Sequence, residues 1–548
     1  MNNKKLLYIR IHGVLFIFLV SLFTQTIVVT SQNCEYVPLN EPTDIDWWPM
    51  FGHDPNHTRS SSSSAPITNE TSWNVLLGLS VKSSPAIVNG RVYIGATRYD
   101  NGTIHGMIVC VSARNGSKLW SYVVENPHSS DVQSSPAVYD DKVYFGTIDN
   151  KVICLDAING EFIWRHTCPS QVFSSPAVVD EKVYINCDGI YCLDAEGNGD
   201  GTTTVLWHTP LSHGDSSPAV YNGKVYAGTN NRQFFCLDAD TGEQLWWYKP
   251  QSATFIPSSP TVVDDRVYFG GIESGFLYCM DADPSDGIDE GVSNDGQVGE
   301  GFDLLWIAQA QGPIMSSPAV YDGMVYVGSY DHRMYCFDAV SGSQEWTYET
   351  GGIIVSSPGI ADGKLYIGSN DGAVSCLSCD TGSLLWSSMT GGMVVSCPAI
   401  ACGIMVVGSY DGSVYAFGQY DGSPGLPELR IGSLQGGRSL SIEVTNHGEQ
   451  AAEHVTVLVT YQKHWLLGPY MFPKETSLAL LSSGQSHTFE YARFLGLGFS
   501  TLTMTVSAVN AESDELTQRV LFFGSFLIII IQERDSDISR GMTSGGLP

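Results

Sequence analysis

SSPAVYDGMVYVGSYDHRMYCFDAVSGSQEW, from Ser316 to Trp346, contains the unit that decides the fold. Three short runs rich in Val, Tyr, Met and Phe are separated at Asp322-Gly323 and around Asp331, and a fourth run gathers at Trp346. Asp-Gly favours a two-residue hairpin, so the runs read as antiparallel strands joined by tight turns. The same module recurs along the chain. A Ser-(Ser/Cys)-Pro triplet ends at Pro85, Pro136, Pro176, Pro218, Pro260, Pro318, Pro358 and Pro398. Successive triplets stand 40 to 42 residues apart, except where insertions stretch the spacing to 51 and 58. Units one to seven end on Trp120, Trp164, Trp207, Trp246, Trp306, Trp346 and Trp386. Four strands every ~40 residues is the pattern of propeller blades.

The eighth unit stops at Tyr415-Ala416-Phe417 without a tryptophan run of its own. An orphan run, Ser72-Trp73-Asn74-Val75-Leu76-Leu77, stands ahead of the first triplet. It is read as the outermost strand of the eighth unit, which would close the ring and leave no open sheet edge between its ends. Trp73 then joins the seven other tryptophans as a blade-docking residue. The expectation is an all-β chain, with an eight-bladed β-propeller over residues 46–418.

The module SSPAV…VYVGS…YCFDA…W resembles the pyrroloquinoline-quinone-like, or quinoprotein-type, propeller repeat. Trp47-Trp48-Pro49-Met50-Phe51-Gly52-His53-Asp54-Pro55-Asn56-His57 resembles the lead-in of secreted members of that family. The resemblance implies an architecture shared by quinone-dependent dehydrogenases and by cofactor-free binding proteins. The quinone enzymes carry a vicinal Cys-Cys disulfide, Ca²⁺ and a catalytic Asp in long insertions. This chain has no adjacent cysteine pair, and most units are near the minimal length. Fold alone does not grant the activity.

Residues 419–428, QYDGSPGLPE, read as a linker, and the alternation from Leu429 onward reads as a sandwich over 429–532 with a tail at 533–548. The segment IEVTNHGEQAAEHVTVLV resembles the cell-adhesion-related immunoglobulin-like domains of bacterial and archaeal surface proteins. The apolar run Val520 to Ile531 is too short to span a bilayer and reads as a buried final strand. At the other end, Lys4, Lys5 and Arg10 precede an apolar run, so residues 1–31 read as a cleaved signal peptide and the chain as secreted or cell-surface.

With 27 basic against 57 acidic residues, the net charge of −30 repels nucleic acid and anionic membranes. A protein or glycan of the cell envelope fits better, with the chain a monomer. Two acidic loops carry the spaced oxygens that suit Ca²⁺: Asp281, Asp283, Asp286 and Asp289, and Glu196, Asn198 and Asp200. Neither is a complete Ca²⁺ loop, and the alternative is a solvated turn. Seven cysteines (Cys110, Cys154, Cys192, Cys236, Cys279, Cys336 and Cys376) fall at one repeat position and read as packing. Of the off-pattern cysteines, shared connections pair Cys168 with Cys187 and Cys379 with Cys402 as expected disulfides. Sequons begin at Asn56, Asn69, Asn101 and Asn115. The sequence favours a non-catalytic scaffold without cofactor, against a quinone-dependent dehydrogenase using calcium or a structural spacer.

Overall fold

The computed structural model describes residues 46–100, 102–124, 131–250, 255–272, 275–282, 304–421, 429–435, 439–446, 452–463, 474–482, 484–492, 496–508, 511–524 and 526–529. The expected signal peptide (1–31), most of the linker and the tail (533–548) lie outside them. Every regular element among the described residues is a strand.

Each triplet opens one sheet of the propeller-blade type. In the first, Ala86–Val88, Arg91–Asp100, Thr103–Ser112 and Lys118–Val123 pair in chain order from innermost to outermost. The next six repeat that order. In the eighth, Ala399–Ala401, Ile404–Gly408 and Ser413–Gly418 take their fourth strand from Thr71–Leu76, with Trp73 opposite Ala416. Innermost strands pack side by side from the first sheet to the eighth, and the eighth packs on the first.

Local chemistry explains the regularity. The hairpins between innermost and second strands place both turn residues at positive φ, as at Asn222 (47°) and Gly223 (71°) or Asp322 (48°) and Gly323 (72°). Asn, Asp and Gly tolerate that region best. The repeat aspartate at the end of the third strand is also structural. Asp238 Oδ1 accepts the Asp240 and Thr241 N–H groups, and Asp338 does the same with Val340 and Ser341.

Sheets are locked to each other by a Tyr–Trp pair. Tyr184 Oη and Trp207 Nε1 both donate to the Ala239 carbonyl of the next sheet, at 3.1 and 2.9 Å. Tyr144 and Trp164 share Ala195 in the same way, and Tyr326 and Trp346 share Cys379. The indole covers a turn glycine, and a Cβ on Gly242 would lie 2.5 Å from Trp207. Trp73 repeats the lock onto the first sheet, donating to the Ala113 carbonyl at 2.8 Å above Gly116. The seven repeat cysteines each lie opposite the sheet's tryptophan, as Cys154 lies opposite Trp164.

Beyond residue 428, a three-stranded sheet (Leu429–Gln435, Ser439–Asn446, Ser486–Ala492) and a five-stranded sheet share one apolar core. Ile442, Val444 and Phe489 come from one sheet; Val457, Val459, Met504 and Val506 come from the other. The run at Val520 forms the hairpin Ala511–Gly524 with Phe526–Ile529. No helix of the described residues is long and apolar enough to cross a membrane.

Candidate functional site

The Ser-Ser-Pro triplets surround the propeller axis, and their two serines do different work. The first staples its own sheet: Ser83, Ser134, Ser216 and Ser258 Oγ accept the N–H groups of Gly95, Gly146, Gly228 and Gly270. The second reaches sideways. Ser84 N–H donates to Ser135 Oγ, Ser135 to Ser175, Ser175 to Ser217, Ser217 to Ser259, Ser259 to Ser317 and Ser317 to Ser357, all at 2.9–3.0 Å. Ser357 N–H then meets Cys397 Sγ at 3.2 Å, and Cys397 N–H returns to Ser84 Oγ at 2.9 Å. The belt is therefore continuous, with one thiol among seven hydroxyls.

Below the belt the segment from Trp48 to Ser64 runs across the innermost strands. Its carbonyls at Trp48, Pro49, Pro55, Asn56, Thr58 and Arg59 accept the N–H groups of Ile87, Val138, Val220, Val262, Val320 and Ile360. Those donors would otherwise be unpaired edge groups. Gly403 N–H donates to Ser64 O, so the strap meets seven of the eight sheets in chain order. Met50 shares a core with Val178 of the remaining one.

Charges fix the strap. His53 Nε2 lies 2.9 Å from Asp46 Oδ1, and His53 Nδ1 lies 3.3 Å from Asp54 Oδ2. Burial disfavours the imidazolium, but the bonds to Asp46 and Asp54 outweigh it and raise the His53 pKa to about 9. Arg59, fully buried, donates from Nη1 to the carbonyls of His57 and Pro318 and to Thr261 Oγ1, beneath Phe51. Burial and the Arg59 charge push His57 down to about 3, so it is neutral and donates to the Pro260 carbonyl.

The face bearing the links into each sheet is different in character. Leu79 and Met393 sit in the links on either side of the Tyr410 turn: Leu77 N–H donates to Gly412 O, and Tyr410 N–H donates to Met393 O. Lys82 Nζ lies 5.7 Å above the Tyr410 ring and 3.0 Å from Asp131. Leu79, Met389 and Met393 are 53%, 64% and 39% exposed, apolar side chains presented at the first, seventh and eighth sheets near the Tyr410 turn.

The expected site residues distribute as follows. Glu196 pairs with Lys142, Asn198 bonds Thr202 and Thr204, and Asp200 accepts from Thr202 in the same turn. Asp281 is buried at the end of its strand, and Asp283, Asp286 and Asp289 lie outside the described residues. Among the described residues no group of three His, Cys, Asp or Glu side chains is arranged to hold a metal ion. Asn56 donates its amide to Val262 O within the strap, Asn69 and Asn115 are exposed, and Asn101 is outside the described residues.

The Cys379–Cys402 pairing is corrected. Cys379 takes the alanine position beneath Trp346, in the core between the sixth and seventh sheets. Cys402 takes the aspartate position of a hairpin (φ 50°), in the core of the eighth. Both are free thiols in separate cores. Sharing a face of the ring did not bring them together. Cys168 and Cys187 are also thiols, but they occupy one core.

The sequence reading missed the strap charges and used the serine triplet only to count units. The signal was present: a hydroxyl or thiol at the second triplet position in all eight units, and Asp46, His53, Asp54 and Arg59 clustered in the lead-in.

These features define a protein of the quinoprotein-like β-propeller class. The chain belongs to the PQQ-like repeat family described as outer membrane protein assembly factor BamB, which matches at residues 63–147, 104–199, 187–285, 301–356 and 349–451. It is 27% identical over 145 residues to the outer membrane protein assembly factor BamB of Shewanella oneidensis, covering 24% of this chain and 32% of that protein. The corresponding protein of Burkholderia pseudomallei is 29% identical over 132 residues, covering 24% of this chain and 29% of its own. The match thus spans about a third of these curated relatives. Among solved structures, BamB from Moraxella catarrhalis aligns with TM-score 0.51 and 18% identity over 64% of this chain and 99% of that one. A europium-containing methanol dehydrogenase aligns with TM-score 0.55 and 14% identity, over 69% of this chain and 98% of that one. These two likenesses speak to fold alone.

Proposed function

We propose that this chain is an exported, non-catalytic scaffold of the cell envelope: a closed eight-bladed propeller that docks a protein, followed by an immunoglobulin-like sandwich. The closing strand at Trp73 and the unbroken belt support the eight-bladed reading, and the two-sheet core beyond residue 428 supports the sandwich. The family description supports the envelope and a protein partner. One observation carries the docking role, the exposed apolar side chains of Leu79, Met389 and Met393 near the Tyr410 turn. Exposed apolar side chains gathered on one face mark protein contacts. The axis, in contrast, spends its hydroxyls and its buried cations on holding the strap and the sheets together.

The test places a photo-crosslinking amino acid at Leu79 or at Met393 in the exported full chain. Capture of one envelope protein from both positions, lost in a Met389→Glu variant, is the expected result. No adduct from either position overturns the docking role. A separate absorption spectrum with added pyrroloquinoline quinone and Ca²⁺ addresses catalysis, and a stoichiometric bound quinone would replace this reading with a dehydrogenase.

A further inference from the structure

Ten of the cysteines in the described residues stand where the repeat supplies a small or turn-forming residue, and they are explained by packing. Cys168 and Cys187 are different. Cys168 lies four residues after Trp164 in the link into the third sheet, and Cys187 lies in the turn between that sheet's second and third strands. Counting from the tryptophans, the equivalent positions in the link into the eighth sheet and in its turn are Thr390 and Ser409. There the two side chains meet, with Ser409 Oγ donating to Thr390 Oγ1 at 3.3 Å. The backbone repeats as well: Cys168 N–H donates to Asn150 O at 2.8 Å, and Thr390 N–H donates to Gly372 O at 2.9 Å. These positions carry hydroxyls at the entries to the seventh sheet (Thr350, Ser369) and the eighth, meeting in the eighth, and thiols at the entry to the third.

A second constraint holds the thiol segments together. His213 Nδ1 lies 2.6 Å from the Cys187 carbonyl oxygen and 3.2 Å from Ser170 Oγ, two residues beyond Cys168. Both cysteines are buried in a core with Trp164 and Tyr191. Contact with the Cys168 thiol, together with burial, drives the Cys187 pKa well above the ordinary thiol range. That thiol is a poor metal ligand or nucleophile at neutral pH, because the reactive form is the thiolate.

We infer that Cys168 and Cys187 are a dithiol–disulfide site that covalently joins the link entering the third sheet to that sheet's turn. Closure breaks two S–H bonds and forms one S–S bond. The two electrons and two protons pass to an exogenous disulfide, which leaves as two thiols. Scarcity of thiolate makes uncatalysed closure slow, so a thiol–disulfide exchange catalyst accelerates it. The inference concerns this interface and does not depend on the docking role.

The test uses the full chain exported from a host with an oxidising compartment and purified without reductant. Free thiols are alkylated in denaturant; disulfides are then reduced and alkylated with a second, isotopically distinct reagent. The expected result is a linked Cys168–Cys187 peptide carrying the second label at both positions. Reduction of the folded protein lowers Tm by roughly 3–8 °C, the range for a closed loop of about 20 residues in a large domain. Cys187→Ser shows the lower Tm in either condition. First label on both cysteines after incubation with oxidised glutathione overturns the inference, as does a zinc ion bound stoichiometrically to the pair. The mapping needs only the wild-type chain, so a variant that fails to fold does not blunt it.

Discussion

Replacing Trp73 with alanine tests closure of the ring more directly than any other single change. The indole is 7% exposed, donates to Ala113 O at 2.8 Å and covers Gly116, where a Cβ would approach its ring to 2.6 Å. Tryptophan buries about 150–250 Å², which at ~25 cal/mol per Å² bounds the apolar contribution at about 4–6 kcal/mol. Partial collapse of the cavity brings the expected cost to about 3–5 kcal/mol, including the orphaned carbonyl. Its strand, Thr71–Leu76, is joined to Ser413–Gly418 across most of the chain, so loss of the anchor releases the strand before the ring unfolds. At 1.4 kcal/mol per factor of ten, hydrogen exchange of the strand's amides should quicken by roughly 100- to 3,000-fold. Trp73→Phe keeps most of the area and should lose about tenfold. Protection within threefold of wild type in Trp73→Ala would refute the reasoning, because the strand would then not depend on its lock.

Further outcomes are expected. Ser175→Ala strands the buried Ser135 N–H and should cost about 1–3 kcal/mol by denaturant melting, whereas Cys397→Ser only restores the belt's common residue and should stay within about 0.5 kcal/mol. Cys397, the one described cysteine that is not fully buried, should react first with a maleimide in the native protein, as read by peptide mapping. His53 gains stability from a pKa raised from 6.5 to about 9. That contribution is complete below pH 6.5 and fades as pH rises through 9, by about 3 kcal/mol at 1.4 kcal/mol per unit, so Tm should fall between pH 7 and 10 and the slope should vanish in His53→Gln. Thr390→Cys with Ser409→Cys should form a second disulfide in non-reducing mapping, because the oxygens already meet at 3.3 Å.

The blades were legible because each repeat writes its own turns and lock into about 40 residues. Asp322-Gly323 announces a hairpin, and Trp346 announces an outermost strand, without reference to anything distant. Even the eighth sheet could be read, since Trp73 is a lock residue with no repeat around it. The axis was less legible. Arg59 meets Thr261 and Pro318, and each belt serine meets a serine one blade away, contacts that exist only after closure. For the same reason Cys379 and Cys402 were misjudged. Sharing a face of the ring says nothing of separation around it.

The strap and the Trp73 strand also have a consequence in time. Synthesis delivers residues 48 to 76 ahead of every repeat, yet their partners include Ile360, Gly403 and Ser413–Gly418, among the last propeller residues to emerge. The strap can pair sheet by sheet as they form, but the strand at Thr71–Leu76 must wait without its ladder partner while seven sheets assemble beside it. A chain interrupted after any repeat short of the eighth has nowhere to seat its Thr71–Leu76 strand. Completion is registered at the N-terminus, and a truncated product carries an exposed leading strand that marks it for proteolysis or holdase capture.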